Sequence, residues 1–285
     1  MIVRPIAQRW SPRLLPKLRL WLNADDRSAF LDGSSNPITN GASVEKWYCS
    51  QFGYDFNAQS TVSKRPIWNS TGMGTKSKPY VQFDGVTDIL RCIDTNLLDA
   101  LNLDTVGTVI MICTNSNLPS DNINAYIFYS GDSAGGSNNL GFRSTPSSSV
   151  LFNSITNNQS GVNNQIRQSQ GVTSPTANND EVYYICSSDG TQYFLRTLTN
   201  ISGVDAIYTG KHIPIVGTDD GDWYGDIPNR DNITVGGYIV NSILNNSYCQ
   251  VSEIIVTGED IYSDATTLSY LDRYIKSKYG NLVNA

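Results

Sequence analysis

The chain has 285 residues, of which only 16% are charged, with 20 Lys and Arg against 26 Asp and Glu. Asn, Ser and Thr together supply 82 residues, and only four of the acids are glutamate. These polar residues and Asp compete for backbone hydrogen bonds and favour turns over helix interiors, so the composition predicts a mostly β protein. The sequence contains no apolar run near the ~20 residues of a membrane helix, and membrane insertion is therefore not expected.

The cysteines and the single histidine, His212, restrict the chemistry further. The five cysteines are scattered and form no C-x-x-C pair, which makes a zinc site improbable. The N-terminus carries charges where a secretory signal requires an apolar core. We therefore expect synthesis in a cytoplasm and five reduced, buried thiols without an intrachain disulfide.

The first residues of the chain have a different charge from the rest. Residues 1–22 carry five basic residues and no acid, which leaves a net charge of −11 for the remainder. Three prolines prevent a regular helix in this segment and favour an extended backbone. We predict that residues 1–17 form a basic arm beside a sandwich domain at 18–285, and that the arm docks on an acidic scaffold. The candidate docking residues are Arg4, Arg9, Trp10 and Arg13. Alternatively, the arm packs along its own sandwich.

Along the body, short β-patterned segments alternate with turn-rich stretches. Segments 79–84 and 88–93 are expected to pair as a hairpin, and 106–113 is expected to be a central strand buried on both faces. Further strands are predicted at 125–130, 150–154, 181–187, 191–198, 233–240 and 248–257. A single helix is predicted near the C-terminus, capped by Ser263 or Asp264, ending at Gly280, and with Leu268, Leu271, Ile275 and Tyr279 on one face.

Together these elements predict an all-β fold. We expect a two-sheet antiparallel jelly-roll sandwich with long polar loops and one C-terminal helix.

Several short motifs follow one another in a characteristic order between residues 18 and 281. They are LWLNAD at 20–25, VEKW at 44–47, GYDFNAQ at 53–59, RP at 65–66, FDG at 83–85 followed by Asp88 and Leu90, ITVGG at 233–237, EIIV at 253–256 and YIKSKYG at 274–280. In this order they resemble the concanavalin A-like (laminin-G-like) jelly-roll domain of bacteriophage virion structural proteins. The resemblance implies the sandwich fold, which hosts lectins, glycan hydrolases and purely structural modules alike.

Glycan hydrolysis is not expected. The glucanase branch of the superfamily uses a Glu-x-Asp-x-x-Glu arrangement, which places paired carboxylates on one face of a strand. The four glutamates of this chain stand at 45, 181, 253 and 259, and none has that spacing. The sequence therefore favours a protein that is not an enzyme.

The loop at 218–226 is the part of the sequence richest in chemically active groups. Asp219, Asp220, Asp222 and Asp226 offer the hard oxygen ligands that Ca²⁺ prefers, and no other cofactor is expected. Trp223 and Tyr224, together with Asp222, are candidates for binding a sugar ring by stacking. The alternative is a solvated acidic loop whose Trp223 packs back onto the sandwich.

From these features we predict a non-enzymatic virion surface or structural protein of a tailed bacteriophage. It would be a capsid decoration or cement protein, or a tail or baseplate-peripheral protein, present as a homo-oligomer or in several copies. Its partners would be other virion proteins, with no nucleic acid. The alternative function is an adhesin that binds host cell-surface glycans.

Overall fold

The computed structural model of the protein describes residues 10–114, 126–135, 138–146, 151–159, 162–169, 181–201, 204–208, 212–240 and 243–281. The strands in these ranges are β1 (Leu18–Asn23), β2 (Phe30–Asp32), β3 (Val44–Tyr48), β4 (Asp55–Ala58), β5 (Ile67–Met73), β6 (Lys78–Asp84), β7 (Leu90–Cys92), β8 (Gly107–Thr114), β9 (Phe128–Gly131), β10 (Asn138–Pro146), β11 (Leu151–Gln159), β12 (Val162–Ser169), β13 (Glu181–Ser188), β14 (Tyr193–Ile201), β15 (Val204–Tyr208), β16 (His212–Val216), β17 (Asn232–Val235), β18 (Gly237–Val240), β19 (Ile243–Asn246) and β20 (Tyr248–Thr257). The helices are α1 (Thr95–Asn102) and α2 (Ala265–Tyr279). The first residues of the predicted strands at 125–130 and 150–154 lie outside the described ranges.

Most of the strands form two large antiparallel sheets. The eight-stranded sheet has the order β15–β14–β13–β8–β20–β6–β5, and β1 pairs with the second half of β20. The ten-stranded sheet has the order β16–β12–β11–β10–β9–β17–β7–β4–β3–β2. Strands β18 and β19 form a separate hairpin. The predicted two-sheet antiparallel sandwich is therefore confirmed.

The main hydrophobic core lies between the two sheets. Val109 and Met111 of β8 belong to the same buried cluster as Phe128 and Phe142 of the ten-stranded sheet. Side chains alternate between the two faces of a strand, and for this reason Ile110 of β8 points the other way and joins a second core. The prediction that this strand is buried on both faces is confirmed.

Helix α2 covers the outer face of the eight-stranded sheet. Leu271, Ile275 and Tyr279 pack into the second core. The Asp264 side chain accepts hydrogen bonds from the amides of residues 266 and 267 and so caps the helix start. Gly280, with φ of 71°, ends the helix. The C-terminal helix and its capping residues are confirmed.

The predicted hairpin of 79–84 with 88–93 is wrong. Strand β6 pairs with β5 and β20, whereas β7 pairs with β4 and β17 in the opposite sheet. The Asp84 carboxylate accepts hydrogen bonds from the amides of Val86, Thr87 and Asp88 at 2.8–3.0 Å, and the Asp88 carboxylate accepts one from the amide of Asp84. This compact loop carries the chain from one sheet to the other.

The predicted strand at 233–240 is two strands, divided at Gly236. Gly236 has φ of 79°, and a Cβ atom there would lie 2.0 Å from Cδ1 of Phe83. Only glycine allows this bend, which carries the chain out of the ten-stranded sheet and into the β18–β19 hairpin. The short helix α1, capped by Asp94 and buried through Leu97 and Leu101, is an element that the sequence pattern did not reveal.

Candidate functional site

The aromatic residues of the Asp-rich loop are not available to a sugar. Trp223 and Tyr224 are both fully buried in the main core. The Trp223 ring lies directly against Gly107, where a Cβ atom would approach its Nε1 to 2.2 Å. The stacking role proposed for Trp223 and Tyr224 is therefore wrong, because burial of two large rings is more favourable than their exposure in a loop. Asp222 is half-buried, and its role in binding a ligand stays a prediction.

Hydrogen bonds within the protein engage the carboxylates of Asp219, Asp220 and Asp226 in the same loop. Asp219 accepts a hydrogen bond from the amide of Tyr193 at 2.8 Å, and Asp226 accepts one from the amide of Trp223 at 2.9 Å. Asp220 accepts from the amide group of Asn164. Burial raises the pKa of Asp219 and of Asp222. No cluster of three or more acidic, His or Cys side chains suited to a metal occurs in the described part of the chain, so the calcium candidate gains no support from the geometry.

A buried cation that the sequence reasoning missed holds this loop in place. Arg230 is 6% exposed and donates to the backbone carbonyls of Ile227 and Tyr224, to Oγ of Ser130 and to the side chain of Asn102. Burial lowers its pKa to about 10. Its partners are neutral, so its role is to satisfy loop carbonyls. A lone arginine in a loop gives no sequence signal for that role.

The described part of the N-terminal segment packs on the sandwich. The Trp10 ring lies parallel to Tyr270 (centroids 6.4 Å apart) and edge-on to Tyr274 (5.7 Å). Arg13 stacks over the ring of Trp21 at 5.8 Å, and Leu15 is 5% exposed in the second core. Residues 10–17 therefore follow the alternative in which the segment lies along its own sandwich. Of the predicted docking residues, Arg4 and Arg9 lie outside the described ranges.

Trp10 forms one wall of an open groove of about 620 Å³ beside helix α2, which we call the basic–aromatic groove. The opposite side is formed by the turn between β5 and β6. Residues of α2 reach the groove because positions three or four apart share one helix face. The groove is lined by Trp10, Lys76, Lys78, Tyr270, Arg273, Tyr274, Ser277 and Lys278.

Two of the four cations in the groove are balanced by acids. Lys78 pairs with Asp25 at 2.9 Å, and Lys278 pairs with the fully buried Glu253 at 3.0 Å. Lys76 donates to the backbone carbonyl of Ser277, and Arg273 lies over the ring of Tyr270 at 4.6 Å. Neither has an acid within 4 Å among the described residues. Four cations against two carboxylates leave two uncompensated positive charges.

The sequence contained part of the signal for this groove. Tyr270, Tyr274 and Lys278 recur at four-residue intervals on α2. Lys276 and Lys278, near the end of the helix, complement the helix dipole, and this local role gave no reason to expect a binding groove. The contribution of Lys76 and Lys78 depends on the β5–β6 turn meeting α2 about two hundred residues later, which spacing alone does not show.

No helix among the described residues is long and apolar enough to cross a membrane. No known protein-family model and no curated protein sequence matches the chain.

Among solved structures, one similar fold is the carbohydrate-binding module CBM40 of the Ruminococcus gnavus IT-sialidase, bound to α2,3-sialyllactose. It shares 11% identity over 71% of this chain and 96% of that chain, with a TM-score of 0.46. The NanB sialidase of Streptococcus pneumoniae shares 17% identity over 68% of this chain and 27% of its own length, with a TM-score of 0.46. Tailspike protein 2 of the Escherichia coli O157:H7 bacteriophage CAB120 shares 10% identity over 85% of this chain and 29% of its own length, with a TM-score of 0.49. At these identities and TM-scores, the similarities support no inference about the family or function of this chain.

Proposed function

We propose that the protein is a non-enzymatic structural component of a tailed-bacteriophage particle, held on an acidic neighbouring virion protein by its basic–aromatic groove. The observation that carries the proposal is the pair of uncompensated cations, Lys76 and Arg273, beside the half-buried ring of Trp10. The order of motifs that resembles phage virion jelly-roll domains supplies the phage context.

The charge of the groove is opposite to that of the whole chain. The formal net charge is −6, so a second copy of the chain or a generally acidic neighbour is repelled except where the groove faces it. Complementary charge of this kind steers association and fixes the orientation of the partner. The groove therefore suits an acidic surface better than it suits a neutral one.

Aromatic side chains supply the apolar part of the contact. Tyr270 is 41% exposed and its ring lies parallel to the half-buried ring of Trp10, so both rings add partly exposed apolar surface to the groove. Tryptophan, tyrosine and arginine are the residue types that dominate interface energies. In this arrangement Trp10 contributes to docking from its position on the sandwich, rather than from a free arm.

The proposal is tested by charge reversal in the groove, followed by recovery of particles. The variants Lys76→Glu and Arg273→Glu are each produced in infected cells, and purified particles are probed for the chain by immunoblotting and mass spectrometry. We expect the wild-type chain in particles and several-fold less of each variant. Because partly exposed charges are screened by salt, the deficit should widen when particles are washed at higher ionic strength.

Lys64→Glu is the matched control, since Lys64 is exposed and lies outside the groove. All three variants should retain the wild-type melting temperature. Absence of the wild-type chain from particles would overturn the virion assignment. Normal incorporation of both groove variants, or an equal loss with Lys64→Glu, would overturn the groove as the attachment site.

A further inference from the structure

A second groove, of about 480 Å³, lies on the outer face of the ten-stranded sheet, on the other side of the molecule from α2. Strands β4 and β7 form its floor, and the β18–β19 hairpin forms one wall. We call it the Arg91 groove. It is lined by Asn57, Ala58, Gln59, Ile89, Arg91, Ile93, Ser133, Ile239 and Leu244.

Strand alternation places the polar floor outward. Phe56, Leu90 and Cys92 point into the main core, so Asn57 and Arg91, which pair directly across β4 and β7, point away from it. These two side chains therefore lie next to each other on the outer face.

The hairpin wall is held firmly against the sheet. The ring of Tyr238 packs against Tyr126 and Tyr129 with centroids 5.2 and 5.4 Å apart, and the Thr234 hydroxyl donates to the carbonyl of Gly237 at 2.6 Å. Ile239 and Leu244 pair across the two strands of the hairpin. The apolar wall is thus built in advance of any ligand.

Arg91 is the charged group of this groove. Its Nε atom is buried and has no hydrogen-bond partner. None of the residues that line the groove is an acid. Asp231, next to the groove, accepts hydrogen bonds from the amide and hydroxyl of Ser133 and from the amide group of Asn232. Against the effect of burial, these bonds and then the charge of Arg91 lower the pKa of Asp231, so the two side chains interact through charge without a hydrogen bond to Arg91 Nε. A buried guanidinium donor without a partner costs free energy, which a ligand acceptor would recover.

We propose that the Arg91 groove binds a carboxylate-bearing saccharide, with the carboxylate on Arg91. A planar guanidinium matches a carboxylate by two parallel hydrogen bonds. Asn57 offers a side-chain amide to the sugar hydroxyls. Gln59 Nε2 donates to the Thr87 carbonyl and the Ser133 hydroxyl donates to Asp231, so these two side chains contribute acceptor oxygens. Ile89, Ile93, Ile239 and Leu244 provide an apolar surface for the C–H face of a sugar ring. The site is independent of the attachment groove and gives the adhesin alternative a specific location.

The direct test uses sugars that differ only in the carboxylate. Methyl glucuronoside is compared with methyl glucoside, methyl galacturonoside with methyl galactoside, and methyl N-acetylneuraminoside with its carboxyl-reduced form, by calorimetry and ligand-observed NMR on the full chain. We expect at least one acidic member to bind at least tenfold more tightly than its neutral partner. Short peptides with a free or amidated C-terminus test the other source of a carboxylate.

Variants then assign the binding to the groove. Arg91→Gln should reduce affinity for the acidic sugar at least tenfold and bring it to that of the neutral partner. Arg91→Lys should retain an intermediate preference. The matched control is Lys46→Gln, which removes a cation from the neighbouring strand β3, next to Asn57 but outside the groove; it should bind as the wild type does. Unchanged melting temperatures show that the variants fold.

Three results would overturn the proposal. The first is a panel in which no acidic sugar is preferred over its neutral partner. The second is an acidic sugar that Arg91→Gln binds as tightly as the wild type. The third is binding of free-carboxylate peptides without binding of any acidic sugar. Incorporation into particles plays no part in these measurements, so their failure is distinct from failure of the attachment groove.

Discussion

Glu253 is the single residue whose change should most weaken the attachment of α2 to the sheet. Its carboxylate is fully buried. It accepts hydrogen bonds from Trp21 Nε1 at 2.5 Å, from the hydroxyls of Tyr274 and Tyr279 at 2.7 and 2.8 Å, and from Lys278 Nζ at 3.0 Å. Three of the four donors come from α2. Burial, and after it the charge of Glu253, raises the pKa of both tyrosines, so they remain neutral donors.

The substitution Glu253→Gln keeps the shape of the side chain and removes its charge. The ammonium of Lys278, only 10% exposed, then lacks its counter-charge. Loss of one partner of a buried ion pair costs about 3–5 kcal/mol. Because the Gln carbonyl still accepts hydrogen bonds, we expect the free energy of unfolding to fall by about 3 kcal/mol, at the lower end of this range. At about 2–4 °C of Tm per kcal/mol, this corresponds to a fall of roughly 6–12 °C.

Urea unfolding and differential scanning calorimetry measure this loss. Glu259→Gln is the matched control, since Glu259 pairs with Lys17 at an exposed site and its loss should cost less than about 1 kcal/mol. In a double-mutant cycle, Glu253→Gln with Lys278→Met should cost about 1–3 kcal/mol less than the sum of the single changes. A cost for Glu253→Gln under 1 kcal/mol, or equal to that of the control, would refute the reasoning.

Three further predictions concern pH, the N-terminal segment and the thiols. Burial, and then the charge of Asp84, raises the pKa of Asp88 to about 6, so the folded state binds more protons than the unfolded state and stability falls as pH rises from about 4 to 6. Asp88→Asn should therefore raise the free energy of unfolding at pH 7.5 by about 2 kcal/mol and have little effect at pH 3.5; an equal effect at both would contradict this account. Leu15→Ala should lower the free energy of unfolding, measured by chemical denaturation, by about 2–4 kcal/mol. If the segment were an arm that does not contribute to folding, this substitution would leave the stability unchanged. All five cysteines are buried free thiols, so titration without reductant should find five after denaturation and almost none in the native protein; fewer than four after denaturation would disprove it.

The sequence predicted those parts of the fold that depend on local pattern. Strand β8 was recognisable because a continuous apolar run suits a strand buried on both faces, and α2 because Asp264 and Gly280 mark its ends. The division at Gly236 was not recognisable. A Gly-Gly pair within a strand pattern is compatible with a bulge, and only the approach of Phe83, from 150 residues earlier, requires the bend.

The candidate sites were harder to predict than the fold for a related reason. Trp223 lies in a strongly acidic stretch, which favours exposure, yet the structure buries it against Gly107 of a distant strand. Arg91 lies within an ordinary alternating pattern and gains its significance only from its cross-strand neighbour Asn57 and from the hairpin opposite. A site formed by residues of four separate strands cannot be recognised from the sequence of any one of these strands.

The two grooves lie on opposite outer faces of the sandwich, and this placement bears on both proposals. The basic–aromatic groove borders α2, which covers the eight-stranded sheet, whereas the Arg91 groove lies on the ten-stranded sheet. The main core separates them. Under the proposed function, a virion protein seated on Lys76 and Arg273 would therefore leave Arg91 facing away from the particle. Arg91→Gln should accordingly leave incorporation into particles unchanged, and Lys76→Glu should leave affinity for acidic sugars unchanged. Any effect of one groove's variant on the other groove's assay would show that the two surfaces are coupled, and such coupling is incompatible with separate sites across a rigid core.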